Sequence, residues 1–424
     1  MTSVKAHRSS RALPSPVRKG IRLSVPLQRS RPFLLLLVAL TAMGPFSMQI
    51  FLPALPAIQT AYGVDVATAQ LVFSLSGVAM ALGTLAYGPL ADRHGRRPVL
   101  IAAVVLFVVG GVVATLAPTI ELLILGRILQ AAGGVAGLVL SRTIVRDLFD
   151  RSRAAEMIAW LTVGMVAVPM VSPTIGGILV DFASWRLNFL VPAVVGVVLF
   201  VATLLALPET RPAATAARTG GGAFEGAGRL VRHPHFLGYT LHATGSFSAF
   251  FAFLAGAPYV VQEVMGEPAT VYGLWFIAMA FGFMLGNVTA ARLSAWFGLD
   301  RMIAAGTLLV LGGVGATLAV MLSGAWTPAA LFVPMIATGY GQGLGMPNAQ
   351  AGALSVDPAL AGTASGVGGF AQMAVASAVA QLVGMMQNGT PYPMLAVMLV
   401  CGMVMVASLA LIRWPVRAAA QPAE

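Results

Sequence analysis

Gly88-Pro89-Leu90-Ala91-Asp92-Arg93-His94-Gly95-Arg96-Arg97-Pro98 is the stretch that decides how the rest of the chain is read. Apolar runs flank it, near residues 69–90 and 98–117, and each is long enough, at about 20 residues, for a helix that crosses a bilayer. The turn between them is therefore very tight, and glycine permits such a reversal. Asp92 amid Arg93, Arg96 and Arg97 can form a charge network that switches partners, or face a helix N-terminus. A plain basic loop would account for the arginines, but not for an aspartate and two glycines at this spacing.

The whole chain extends the pattern. Of its 424 residues 58% are hydrophobic and only 9% charged, and the mean hydropathy of +0.87 excludes an ordinary soluble domain. Apolar segments long enough to span lie near 33–55, 69–90, 98–117, 119–143, 155–180 and 185–207, then near 236–261, 270–293, 301–323, 327–350, 359–386 and 391–413. The expected fold is an all-α integral membrane protein of twelve transmembrane helices in two six-helix halves. Cys401, the single cysteine, sits in an apolar run and offers neither a disulfide nor a thiolate metal site.

The net charge of +11 is explained by where the charges fall. With the N-terminus cytoplasmic, every Lys and Arg except Arg127 and Arg186 lies on that side. That is the asymmetry of the positive-inside rule, and shifting the count by one span destroys it. Both termini are thus expected in the cytoplasm, and lipid rather than nucleic acid is the partner of the charge. The basic leader, residues 1–32, lacks the apolar core and cleavage site of a secretory signal. It reads as a disordered arm drawn to anionic lipid, or as an extension without function.

The spans group into an N-terminal half, 33–208, and a C-terminal half, 236–413, joined by a cytoplasmic linker, 209–235, and followed by a tail, 414–424. Within the linker, residues 212–228 are rich in Ala and Gly and read as flexible. The near-equal halves suggest a duplication, supported by Gln130 and Gly133 in the fourth span against Gln342 and Gly345 in the tenth. A transporter of two parallel halves binds its substrate near the midplane and works by rocking one half on the other. Many of the 47 glycines fall in the spans, where sliding helix faces need small residues.

The 88–98 turn resembles the signature loop of the major facilitator superfamily, of the form G-x-L-a-D-r-x-G-r-r. Three further runs are similar to the Bcr/CflA group of multidrug exporters: Leu52-Pro53-Ala54-Leu55-Pro56, Gly126-Arg127-Ile128-Leu129-Gln130-Ala131, and Arg142-Thr143-Ile144-Val145-Arg146-Asp147-Leu148. Pro347-Asn348-Ala349-Gln350-Ala351 and Gly362-Thr363-Ala364-Ser365-Gly366 extend the likeness to the tenth and eleventh spans, so it covers 33–414. The resemblance implies a twelve-helix bundle in a bacterial-type inner membrane, a monomer without cofactor, exporting drug-like molecules in exchange for protons. It also suggests that the Asp92 loop closes against the start of the eleventh span, where Asp357-Pro358 reads as an N-cap and first-turn proline.

In the fifth span Pro169, Pro173, Gly176 and Gly177 match part of the motif carried by antiporters of the superfamily. Proline interrupts the backbone ladder and glycine admits a neighbouring helix; a merely structural kink is the alternative. Arg127 is the basic residue placed well inside a span, at a cost of about 2.5–3.5 kcal/mol on insertion scales. Gln130 shares its face. The resemblance makes Arg127 the family's buried arginine, tied there to substrate or proton coupling, against the plainer reading of a hub for backbone carbonyls. In the seventh span Tyr239, His242 and Ser246 share a face with Phe250 and Phe253, a stripe expected to line a cavity to which a histidine would bring a group able to titrate near neutral pH; a lone histidine in such a place is otherwise a packing residue. Phe46, Gln49, Phe51, Tyr340, Gln342 and Asn348 complete a candidate pocket of a few polar groups in apolar walls.

Two patterns mislead. Gly339, Gly341, Gly343 and Gly345 follow no strand and precede no phosphate-binding lysine, so they serve helix packing rather than a nucleotide. His233 and His235 flank Pro234 and make an incomplete metal site. No nucleophile, base and orienting group fall together, so an enzyme is not expected.

One departure from the exporters bears on mechanism. They carry an aspartate shortly before the Leu-Pro-Ala-Leu-Pro segment, and here that position is Gln49, which cannot titrate. None of the 14 acids lies centrally in a span, so a buried cationic substrate would have no carboxylate partner. Three functions stay open: a proton-linked exporter of amphipathic compounds that couples through His242 or through the substrate's own protonation, an uncoupled facilitator or importer of a metabolite, and a scaffold or sensor that does not transport.

Overall fold

The computed structural model describes residues 31–211 and 222–413, apart from the side chains of Arg151 and of residues 222–225. The leader 1–30 and the tail from 414 onward lie outside the described residues. Helix α1, Arg31–Ile50, continues through a short 3-10 turn into α2, Leu55–Tyr62. Then follow α3 (Val66–His94), α4 (Arg96–Leu116), α5 (Ile120–Leu148), α6 (Arg151–Phe182) and α7 (Leu187–Ala206). After the linker helix α8 (Gly222–Val231) come α9 (Pro234–Tyr259), α10 (Ala269–Phe297), α11 (Leu299–Leu322), α12 (Pro328–Ser355), α13 (Ala361–Met386) and α14 (Tyr392–Ile412). No strand occurs among the described residues. Among the described residues, eleven segments are long and apolar enough to cross a membrane. Helix α12, of 28 residues, completes the expected twelve from its place between α10 and α11.

Local chemistry sets the helix ends. Asp65, Thr119, Asp150 and Thr327 each accept a hydrogen bond from an amide of the first turn they precede, which satisfies a donor the helix leaves open. Gly95 lies between α3 and α4 with φ of +100°, a region that side chains rarely enter. Gly298 repeats this between α10 and α11 with φ of +81°. That repeat is a trace of duplication which the differing residues around Gly298 had hidden.

The packing repeats as well. Helix α4 lies on α5 as α11 lies on α12, and α3 lies on α5 as α10 lies on α12. Glycines bring the helix backbones together: a Cβ on Gly137 of α5 would stand 1.9 Å from the Leu40 oxygen of α1. The four glycines of 339–345 alternate sides. Gly339 and Gly343 press on the Met279 and Phe283 oxygens of α10, while Gly341 presses on the Gly306 oxygen of α11 and Gly345 faces the same helix.

The first six spans meet the last six through α3 with α13 and through α6 with α10. Among the described residues, the hydrogen bonds joining these two sets lie at the end away from the basic loops. Ser74 donates to Gln381 at 2.6 Å and Gln381 to the Ala67 oxygen at 2.9 Å. Gln262 donates to the Pro53 oxygen at 3.0 Å and Thr174 to the Gly273 oxygen at 2.8 Å. Asp181 caps α10 from the other set, accepting from the amides of Ala269 and Thr270 at 3.1 and 2.7 Å.

Of the linker segment expected to be flexible, residues 212–221 lie outside the described residues, and residues 222–228 are helical. They belong to α8, whose Leu230 is buried against Phe236, Ala353 and Ala364 and whose Gly226 fits over Leu360. A polar, glycine-rich helix of ten residues is marginal alone and gains its stability from such packing, which composition does not reveal.

Candidate functional site

The turn at 88–98 carries a connected network of charged groups. Arg96 is almost fully buried, bonding Asp92 at 2.5 Å and Asp147 of α5 at 3.1 Å. Glu209, just past α7, accepts from the backbone amides of Arg96 and Arg97 at 2.9 and 3.2 Å, a carboxylate at the N-terminus of α4. Burial alone would raise the Glu209 carboxyl, but the amides of Arg211, Arg96, Arg97 and Thr210 outweigh it and hold it below the usual glutamate range. Gly95 fits because a Cβ there would meet Glu209 Oε2 at 2.6 Å. Arg93 contributes its backbone oxygen to Arg211 at 2.8 Å. Gly88 sits in open space. The expected contact of this loop with the start of α13 is not the one formed. Asp357 caps Ala359 as anticipated, but its carboxylate is taken by Arg229 of α8, and Asp92 is held within its own turn.

Arg127 and Gln130 come together as their spacing required. Arg127 is fully buried on α5 and donates to Gln130 Oε1 at 2.6 Å and to the Met48 sulfur at 3.6 Å. Its guanidinium lies 4.1 Å from the centre of the Phe51 ring and 5.6 Å from that of Phe189, an arrangement in which ring electrons offset part of the charge. Phe51 continues to Phe73 at 6.2 Å and Phe73 to Phe251 of α9 at 5.1 Å, so aromatic contact runs from Arg127 across to the last six spans. Gln49, half-buried on α1, has no partner for its oxygen among the described residues.

The seventh-span stripe points elsewhere than into a space between the two sets. Tyr239 donates to Asp300 of α11 at 2.8 Å, His242 approaches Ser408 of α14 at 3.4 Å, and the Ser246 backbone oxygen accepts from Gln342 of α12 at 3.0 Å, while the Ser246 hydroxyl is buried without a partner among the described residues. Tyr340 bonds Thr289 of α10 at 3.2 Å, and Asn348 donates to the Leu344 oxygen on its own helix. Tyr239, His242, Ser246, Gln342 and Tyr340 thus join neighbouring helices of the last six spans, whereas Asn348 bonds within α12, and the packing reading of His242 fits its placement. Phe247 and Phe250 of the same helix instead stay partly exposed.

Helix α6 runs unbroken through Pro169 and Pro173. A Cβ on Gly176 would stand 1.7 Å from the Ile50 oxygen of α1, and one on Gly177 2.6 Å from the Ala269 oxygen of α10. The pair is where α6 is gripped from both sides. His233 and His235 stand with ring centres 5.4 Å apart, and no group of three or more potential metal ligands occurs among the described residues.

Arg142 is half-buried further along α5. Its side chain rests on the Met165 sulfur of α6 at 3.7 Å, and its Nε is buried without a partner. The sequence places it at the cytoplasmic end of a span ending near 143, whereas α5 continues to Leu148.

A twelve-span bundle whose two sets of helices meet along α3, α6, α10 and α13 and are fastened at one end is the architecture of a membrane transporter. The Major Facilitator Superfamily model matches residues 35–381, and the chain belongs to that family. It is 30% identical over 378 residues to the multidrug resistance protein MdtL of Shigella flexneri, covering 88% of this chain and 93% of that one. To the bicyclomycin resistance protein homolog of Haemophilus influenzae it is 28% identical over 380 residues, 87% and 93% of the two chains. Among solved structures, the bacterial homolog of the human lysosomal transporter Spinster superimposes with a TM-score of 0.71 at 16% identity, covering 90% of this chain and 97% of that one. The protein is thus a multi-pass membrane transporter and not an enzyme.

Proposed function

We propose that the protein exports small amphipathic, drug-like compounds from a bacterial cell across its inner membrane by alternating access, as a monomer with both termini in the cytoplasm and with protons as the exchanged ion. One observation carries this reading: the bonds between the two six-span halves are gathered at the end remote from the basic loops. By the positive-inside rule the basic loops are cytoplasmic, so this is an arrangement fastened on the outside, with the inner side left to admit a compound. Relatives named for multidrug and bicyclomycin resistance support export of drug-like molecules. The substrate's own protonation or a carboxylate near the ends of the bundle carries the proton. Binding falls between the halves, around Gln49 and the phenylalanines that meet there, with Arg127 behind Phe51.

A second reading, an uncoupled facilitator, is favoured by two findings. Gln49 replaces the family's acid, and His242 is packed within the C-terminal half.

Proton movement in energised inside-out vesicles, on adding neutral, cationic and anionic amphiphiles to wild type, Arg127→Ala and Gln49→Asp, separates the two. Proton release by wild type on adding one class establishes exchange. Equilibration of substrate without a gradient, and without release, establishes the facilitator and overturns proton exchange.

A further inference from the structure

Helix α5 carries two guanidinium groups, one buried and one half-buried, that meet no carboxylate among the described residues. Arg127 is enclosed by Phe51, Phe189, Met48 and Gln130. Arg142 lies about four turns closer to the basic end, with the Met165 sulfur at 3.7 Å, a sealed and unpartnered Nε, and Arg146 one turn on as its charged neighbour. By contrast, Arg96 at the same end of the bundle has two carboxylates, Asp92 and Asp147. An arginine that served only the positive-inside asymmetry would extend its whole head group into water. A half-buried guanidinium resting on a thioether instead loses hydration without gaining a counter-ion, an arrangement that a bound anion completes.

We propose that the transported compound is an organic anion and that Arg142 binds its anionic group, between α5 and α6. The proposal rests on the transporter reading above and takes its uncoupled branch. It fits a bundle in which none of the 14 acids lies centrally in a span, so that no buried carboxylate repels an anion. It also removes the need for an exchanged proton, because a negative cell interior itself drives an anion outward.

The test uses the full chain in proteoliposomes, with a membrane potential set by potassium and valinomycin. The radiolabelled probes are naphthalene-1-sulfonate, a permanent anion, its neutral counterpart naphthalene-1-sulfonamide, and the cation tetraphenylphosphonium. The expected result is sulfonate flux that follows the potential and does not depend on a pH gradient. The sulfonate concentration for half-maximal flux should rise at least tenfold in Arg142→Gln and recover in part in Arg142→Lys. The preference for sulfonate over sulfonamide should fall with it, which loss of folded protein alone would not produce. Equal sulfonate handling by wild type and Arg142→Gln overturns the role of Arg142. Transport of the sulfonamide or of the cation but not of the sulfonate overturns the anion while leaving the transporter reading intact. Failure to move any of the three overturns both.

Discussion

Asp181, near the end of α6, accepts from the Thr270 amide at 2.7 Å and from the Ala269 amide at 3.1 Å, so α10 of the second half takes its cap from the first. Pro268, the residue in the cap position, makes no side-chain bond of its own. A capping carboxylate contributes about 1 kcal/mol, and here that contribution exists only while the two halves are together at this end. Asp181→Ala should therefore open the end remote from the basic loops more often. In a Cys401→Ser background carrying Thr174→Cys, labelling by a membrane-impermeant maleimide should be several-fold faster with Asp181→Ala than without it. An unchanged labelling rate would mean that the cap does not hold the halves closed.

The glycine pair beside that cap makes a steric prediction. Gly176 faces the Ile50 oxygen at a distance that admits no Cβ, while Gly177 faces the Ala269 oxygen with somewhat more room. Gly176→Leu forces α1 and α6 apart inside one half, and overpacking of this kind costs about 1–3 kcal/mol or more. Gly177→Ala loosens only the contact between halves. The first should lower the thermal midpoint of the purified protein, and the second should leave it nearly unchanged while slowing substrate flux. Equal thermal losses in both would deny that Gly177 acts at the seam.

The twelve helices were legible because each must supply about 20 apolar residues, and the tight turn at Gly95 because an aspartate and two glycines had no other account. The facing of α9 was not. In its apolar window 89% of the residues are buried, so no polar stripe distinguishes the side toward the other half from the side toward α12 and α14. Tyr239, His242 and Ser246 share a helical face, but that face meets Asp300, Ser408 and Gln342 of its own half. Spacing shows that residues lie together on a helix and does not show what they meet. For the same reason Glu209 went unnoticed: its partners are the backbone amides of Arg96 and Arg97, which leave no mark in side-chain patterns.

Arg127 separates a structural from a functional role by the shape of its replacement. An apolar side chain of similar volume often replaces a buried charge without loss of stability, whereas truncation leaves a cavity between Phe51 and Phe189. Arg127→Met should keep the thermal midpoint close to wild type, and Arg127→Ala should lower it by the equivalent of about 2–4 kcal/mol. Both should reduce flux at least tenfold. Wild-type flux in Arg127→Met would reduce the arginine to a packing element.

Asp92 shares the Arg96 guanidinium with Asp147 and is the more exposed of the two carboxylates. Asp92→Asn leaves Asp147 in place, so Arg96 keeps one charged partner and the turn should stay folded. What changes is the ability of the turn to hold and release a carboxylate as the halves move. Flux should fall several-fold at equal amounts of inserted protein. Unaltered flux at equal expression would remove Asp92 from the working cycle.

Glu209 extends the same network to pH. Its carboxyl is held below the usual glutamate range by four backbone amides against the opposing effect of burial. A carboxyl depressed in the folded protein contributes stability that is present above its unfolded value and is lost as pH falls through the folded one. The contribution is thus complete at neutral pH and disappears only on acidification below the ordinary glutamate range. Glu209→Gln should remove about 1 kcal/mol at pH 7, because an amide oxygen brings no charge to the start of α4. The difference in thermal midpoint between wild type and Glu209→Gln should be flat from pH 8 to about pH 5 and shrink below it. A difference that grew on acidification would carry the opposite sign and would assign the stabilisation to some other group. A difference absent at pH 7 would leave the amides of Arg96 and Arg97 to water.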